Sequence, residues 1–232
     1  MPAFVEVADS PFIAETLGAP APDLQALARQ LAGDPQLVLA AVDALGSVSP
    51  RIRFAASRLL RILSERSPEA LYSQFDCLAR LLQDKNSILR RNAMLALGNL
   101  ALADHANKLD EILEAYLAPI SGRKLVEAAS AMRGAAAIGC AKPYLADGIA
   151  KSILAVEQGR YTTRDCRNVA IGHAIRALDE LFPSLQNQQG VLWFVRRQTK
   201  NSRRATRNKA RKFLAKWPAA RCPTGVCAAC DD

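Results

Sequence analysis

Apolar residues recur along the chain at intervals of three and four, the spacing that lays a stripe down one face of a helix. Leu71, Phe75, Leu78, Leu81 and Leu82 form one such stripe, and Val169, Ala170, His173, Ala174, Ala177, Leu178 and Leu181 form another. The most regular stretch is Leu89-Arg90-Arg91-Asn92-Ala93-Met94-Leu95-Ala96-Leu97-Gly98-Asn99-Leu100, where small and branched residues share a face beside a charged one. Runs of β-branched residues that would argue for strands are few.

Start signals divide this pattern into helices. A capping residue followed by proline occurs at Ser10-Pro11, Asp34-Pro35, Ser49-Pro50 and Ser67-Pro68. Proline at the first helical position costs nothing, because that N–H has no intrahelical partner. The expected order is a short helix from Pro11, a stiff link at Ala19-Pro20-Ala21-Pro22 and a capping helix over 23–32. Five helix pairs follow. The first pair starts at Pro35 and Pro50; the second covers 68–83 and 86–102, and the third 105–117 and 123–141. The fourth pairs 143–156 with a helix from Thr162 or Thr163, where Thr162-x-x-Asp165 resembles a capping box. The fifth covers 188–198 and 202–217, ended by Pro218.

The second helices carry a recurring Arg-x-x-Ala pair: Arg53 with Ala56, Arg90 with Ala93, Arg133 with Ala136, Arg167 with Ala170, and Arg207 with Ala210. The intervals are 37, 43, 34 and 40 residues; placing the third copy at Glu127 with Ser130 evens them to 37, 37, 40 and 40 but breaks the pattern. A period near forty with one small-residue-rich helix per unit is the signature of stacked helix pairs. The residues Leu89-Arg90-x-x-Ala93-x-x-Ala96-Leu97-Gly98-x-Leu100 resemble the second-helix consensus of HEAT repeats. The resemblance implies an all-α, right-handed solenoid of about five HEAT-like pairs. It is expected to occupy 23–217, between an N-terminal arm and linker over 1–22 and a cysteine-containing tail over 218–232. Each unit can bury its stripe only against its neighbours, so the second helices should line a concave surface. The function expected of such a fold is non-catalytic: a scaffold that engages another protein.

Composition agrees with this reading and changes it in one place. Of 232 residues, 50% are hydrophobic but only 6% aromatic, which suits closely packed Ala- and Leu-rich helices. The net charge is +9, and all of the excess lies near one end. Residues 1–190 carry 20 basic and 20 acidic side chains, whereas 191–221 carry 11 basic and none acidic. Arg196, Arg197, Lys200, Arg203, Arg204, Arg207, Arg211 and Lys212 are therefore the candidate contacts for an anionic partner. Clustered cations of this kind bind nucleic-acid phosphates without reading sequence. They equally suit an acidic protein, a membrane surface, or the solubilising outer face that a terminal repeat requires.

Candidate chemistry is sparse. Cys222, Cys227 and Cys230 offer three thiolates to a metal, with the Cys227-x-x-Cys230 spacing able to face one ion; a redox disulfide and a reduced tail are the alternatives. Cys77, Cys140 and Cys166 fall within helical patterns and read as small core residues. His105 reads as a polar helix cap, and His173 as a satisfied interior residue. No phosphate-binding loop, paired-histidine metal motif or nucleophile elbow occurs, so no cofactor and no catalytic residue are assigned. DNA-alkylation-repair glycosylases share the length and the repeat type, and so does the general repeat consensus of phycobilin lyases. Neither resemblance transfers a catalytic residue: Trp193 and Trp217 have no acidic residue near them in sequence. No run of roughly 18–20 apolar residues spans a bilayer and no signal peptide is apparent, which leads us to expect a cytoplasmic protein.

Overall fold

The computed structural model describes residues 11–218, and every regular element among them is helical. Helices α1 (Pro11–Gly18) and α2 (Leu24–Leu31) come first. Five units follow: α3 (Pro35–Asp43) with α4 (Pro50–Arg66), α5 (Pro68–Tyr72) and α6 (Phe75–Arg80) with α7 (Ser87–Asn99), α8 (Lys108–Leu117) with α9 (Leu125–Ala141), α10 (Ala146–Leu154) with α11 (Arg164–Leu181), and α12 (Gln189–Gln198) with α13 (Arg204–Lys216).

Several helices start where a side chain satisfies the first free N–H groups. Asp23 accepts from the N–H of Gln25 at 3.0 Å and of Ala26 at 2.9 Å, and Asn86 accepts from Ile88 at 2.8 Å. In the fourth unit Thr163 is the cap, accepting from Cys166 at 3.0 Å, because Thr163 is the extended residue directly before Arg164. The Thr162 and Asp165 pair does not form the box. Ser49 and Ser67 do precede Pro50 and Pro68, but neither hydroxyl makes a capping bond.

Two outer helices differ from expectation. The stretch 68–83 breaks at Ser73-Gln74 into α5 and α6, and across the break Leu71 and Phe75 are both buried while the Tyr72 hydroxyl donates to Asp104 at 2.7 Å. The third outer helix begins at Lys108 instead of His105. Asn107 takes a left-handed conformation, φ 55°, and the Asp104 carboxylate accepts from the N–H of Lys108 at 2.9 Å and of Leu109 at 3.0 Å. The capping role expected of His105 thus belongs to Asp104, and His105 is exposed in the turn.

The inner helices form one ladder: α2 packs on α4, α4 on α7, α7 on α9, α9 on α11, and α11 on α13. Helices α3, α6, α8, α10 and α12 pack behind α4, α7, α9, α11 and α13 of their own units, α5 lies on α4 of the unit before, and α1 also lies on α4 with Ile13 and Leu17 buried. A single apolar cluster runs from Ile13 to Phe213. This is an α-solenoid, in which units share one core through their neighbours.

Polar rungs set the register between inner helices. Asn92 donates to Ser57 at 2.9 Å, Asn99 to Ser64 at 3.0 Å, and Asn168 to Ser202 at 2.8 Å. Arg90 on α7 pairs with Glu127 on α9, both nearly buried. The third copy of the repeat is therefore Glu127 with Ser130, and the even intervals of 37, 37, 40 and 40 are the structural ones. Arg133 is not a copy of Arg90: its side chain is 67% exposed on the inner face.

Candidate functional site

Three cavities open along the inner face and share walls. The first, about 880 Å³, lies between the α1–α2 link at Pro20, Ala21 and Pro22 and helices α4, α7 and α9. The second, about 370 Å³, is walled by α7, α9 and α11; the third, about 210 Å³, lies between α11 and α13. Arg91, Leu95 and Arg133 line both the first and the second, and Arg176 lines both the second and the third. These cavities share walls and run as segments of one groove along the inner helices.

The groove is cationic throughout. Arg51, Arg58, Arg61, Arg91 and Arg133 line its first segment. Arg176 and His173 follow in the second, then Lys209, Lys212 and Lys216 in the third. The acids lining these segments, among the described residues, are Asp179 and Glu180. Some cations are held in place: Arg51 donates to the Ala19 carbonyl, Arg61 to Glu65 at 2.5 Å, Lys209 to the Gly172 carbonyl at 2.9 Å, and Lys216 to Asp179 at 3.0 Å. Others are loosely held. Arg133 stands 4.0 Å from Glu65, Arg176 is 72% exposed beside Glu180 at 3.4 Å, and Arg58 and Arg91 are exposed and unpaired among the described residues.

Two titratable groups register the resulting field. Burial lowers the pKa of His173, and the nearby Lys209 and Arg176 lower it further. Lys209 is likewise held below the ordinary lysine range by burial and by Arg176 and Arg203. Like charges disfavour a further proton in each case. His173 is accordingly a half-buried wall residue of the groove, not the satisfied interior residue that its place in an alanine-rich stripe suggests.

Of the eight cations singled out in the sequence, several are held by partners of their own. Arg207 turns inward, donating to the Asn201 and Ser202 carbonyls at 2.8 Å each. Arg197 stacks over Trp193 at 4.4 Å and pairs with Glu157 at 2.6 Å, and Arg203 pairs with Asp165 at 3.4 Å. Arg196 is exposed at the end of α12 and Lys200 in the turn after it; Arg204 and Arg211 are exposed on α13. Lys212 alone of the eight lines the groove. Sequence reasoning missed Arg58, Arg91, Arg133 and Arg176 because residues 1–190 are neutral as a sum. Some of the acids that balance them lie on the outer helices, with Asp76 on α6, Asp110, Glu111 and Glu114 on α8, and Asp147 on α10, and others on the inner ones, such as Glu127 on α9 and Asp165 on α11.

Other candidates are placed as follows. Cys222, Cys227 and Cys230 lie outside the described residues. Among the described residues no cluster of His, Cys, Asp or Glu has the arrangement of a metal site. Cys140 is exposed instead of core, since it follows Gly139 on the side of α9 away from Ile138. Trp217 does have an acidic neighbour in space: its indole N–H donates to Asp179 at 2.7 Å, with the ring against Phe182 at 4.9 Å. That contact ties α13 to α11. A buried ion pair outside the groove, Lys142 with Asp104 at 3.1 Å, is hydrogen-bonded by Tyr72, the Asn107 side chain and backbone N–H groups, and it fixes the turn before α8. No helix among the described residues is long and apolar enough to cross a membrane.

No protein-family model matches the chain, and no curated protein matches it. Solved structures do. An engineered protein known from its crystal structure is 14% identical with a TM-score of 0.51, covering 90% of this chain and 96% of its own. A designed armadillo repeat protein in complex with the peptide (KR)4 is 16% identical with a TM-score of 0.51, covering 90% of this chain and 99% of its own. At such identities the likeness concerns the fold: the chain is similar to helical-repeat solenoids over nearly its whole described length.

Proposed function

We propose that this chain is a non-catalytic scaffold of HEAT-like repeats over 23–217 that holds another protein along its concave groove. The observation that carries this reading is the continuity of the groove, to which α4, α7, α9, α11 and α13 each contribute a wall. A surface built from successive units suits a long partner, because each unit adds contacts without rearranging its neighbours. The designed armadillo protein of similar fold carries a peptide, which supports the same use of the architecture here.

Photo-crosslinking in the source cells tests the proposal. A benzophenone side chain is placed at Ala129 on the wall of the groove, and in a parallel protein at Glu114 on α8. The expected result is a discrete protein adduct from Ala129 and none from Glu114. Adducts of equal yield from both positions, or none from Ala129, would remove the concave groove as the docking surface.

A further inference from the structure

We infer that the occupant of the concave groove is an acidic, partly apolar polypeptide segment lying across the inner helices, with its carboxylates on Arg58, Arg91, Arg133 and Arg176. This rests on the scaffold reading above and names the chemistry of the partner.

The argument begins with charge. Successive inner helices α4, α7, α9 and α11 present Arg58, Arg91, Arg133 and Arg176, all exposed, to the same groove, and of the four only Arg176 has a carboxylate closer than 4.0 Å among the described residues. Guanidinium is the side chain best suited to grip a carboxylate through two parallel hydrogen bonds. Lys209 and Lys212 continue the positive surface on α13. The designed armadillo protein carries a peptide of lysine and arginine; this groove has the same sign as that peptide and would repel it.

A carboxylate-bearing polypeptide and a nucleic acid are both anionic, and the floor of the groove discriminates between them. Ile88 is 45% exposed and Val126 57% exposed, with Leu125, Ala129 and Ala177 between the arginines. Apolar positions alternating with cations match side chains that alternate in the same way, whereas a phosphate backbone has no use for them. Single-stranded nucleic acid is held by stacking on exposed aromatic rings. The exposed aromatics Phe12, Tyr144 and Trp193 all lie outside the groove, and Phe54 in its first segment is half-buried. Glu180 on the wall opposes a phosphate chain but can pair with a single basic residue in a peptide.

Spacing adds a constraint on the partner. Packed helices lie about 8–10 Å apart, and an extended chain advances about 3.3 Å per residue. Neighbouring arginines therefore meet one acidic residue in about every three, with smaller apolar residues between.

Fluorescence anisotropy with the full chain tests this. The probe is a labelled peptide of about 16 residues, enough to cross five helices at about 3.3 Å per residue, with Glu at every third position and Ala and Leu between. Controls are the same peptide with Gln for Glu, the basic peptide (KR)4, and a mixed-sequence DNA duplex. The expected result is saturable binding of the Glu peptide that weakens with salt, at least about tenfold weaker binding of the Gln peptide, and no binding of (KR)4. The variant R58A/R91A/R133A/R176A, whose fold is verified by circular dichroism, should lose at least about tenfold in affinity, and R196A/R197A/K200A less than about twofold. Equal binding of the Glu and Gln peptides, no binding of either, or an unaffected quadruple variant overturns the inference. So does tighter binding of the duplex at physiological salt. A protein adduct persisting at Ala129 in any of those cases would keep the scaffold reading and discard only the acidic partner.

Discussion

Arg53, Arg90, Glu127, Arg167 and Arg207 occupy the same place in successive units, and one change of sign among them is informative. Arg90 finds Glu127 across the α7–α9 contact, and burial, which raises the Glu127 pKa, is outweighed by Arg90 and Lys124, so its carboxyl stays below the usual range. Where neighbouring copies are both arginine no such pair forms, and Arg53 and Arg167 each keep a buried Nε without a partner. Restoring the repeat motif with Glu127→Arg should therefore destabilise the protein by about 3 kcal/mol, since it sets two nearly buried guanidiniums together. Arg133→Ala, at the position the motif would suggest, should change stability by less than about 0.5 kcal/mol. Urea denaturation of the two variants decides between the registers. Asp104 supplies a second residue-level expectation. Burial alone would raise its pKa, but bonds from Tyr72, the Leu109 N–H, Lys142 and the Lys108 N–H hold it below the ordinary 3.8. Its contribution is then complete above that pH and lost as pH falls through the lowered value. Asp104→Ala should cost about 3 kcal/mol near neutrality, because Lys142 is left buried with only the more distant Asp110, at 4.0 Å, as a counter-charge, and thermal melts of the variant should show a weaker acid dependence than the parent.

At the scale of the element, the inner helices approach as closely as their glycines permit. A Cβ on Gly98 would stand 2.6 Å from the Gly134 Cα, and one on Gly134 would strike the Tyr116 hydroxyl, which donates to the Met94 carbonyl at 2.6 Å. Alanine is the better helix former at an exposed site, so the propensity gain and the steric cost oppose one another here. The cost wins: Gly98→Ala should destabilise by about 1–3 kcal/mol as α7 and α9 are forced apart, read as a lower midpoint in thermal unfolding. The helix list was legible in the sequence because caps, prolines and apolar spacing are local signals; α7, α9, α11 and α13 start and end within about three residues of expectation. The break within 68–83 was not legible. Its apolar stripe is continuous, and what the break accommodates is Tyr72 reaching Asp104, a partner 32 residues away.

For the molecule as a whole, the central property is the cationic lining of the groove. It can be followed through His173, whose imidazole lies between Arg176 and Lys209. With its folded-state pKa below 6.5, the unfolded chain binds more protons at mildly acidic pH, so stability should decline as pH falls through about 6.5. An acidic peptide in the groove would offset the field of its neighbours and raise that pKa. Titrating the His173 ring by NMR with and without the Glu peptide should show the upward shift; an unchanged titration would mean that the peptide binds elsewhere.

The sequence by itself determined that the chain is a stack of helix pairs, where most helices begin, and that the last unit is rich in cations, because periodicity, capping and composition are properties of neighbours along the chain. Only the tertiary structure decided which residues share a surface. Helices about forty residues apart in sequence lie side by side, and the face each one turns inward depends on packing against both neighbours. That is why four arginines hidden in an electrically neutral stretch meet in one groove, while of the eight cations singled out at the end only Lys212 lines it.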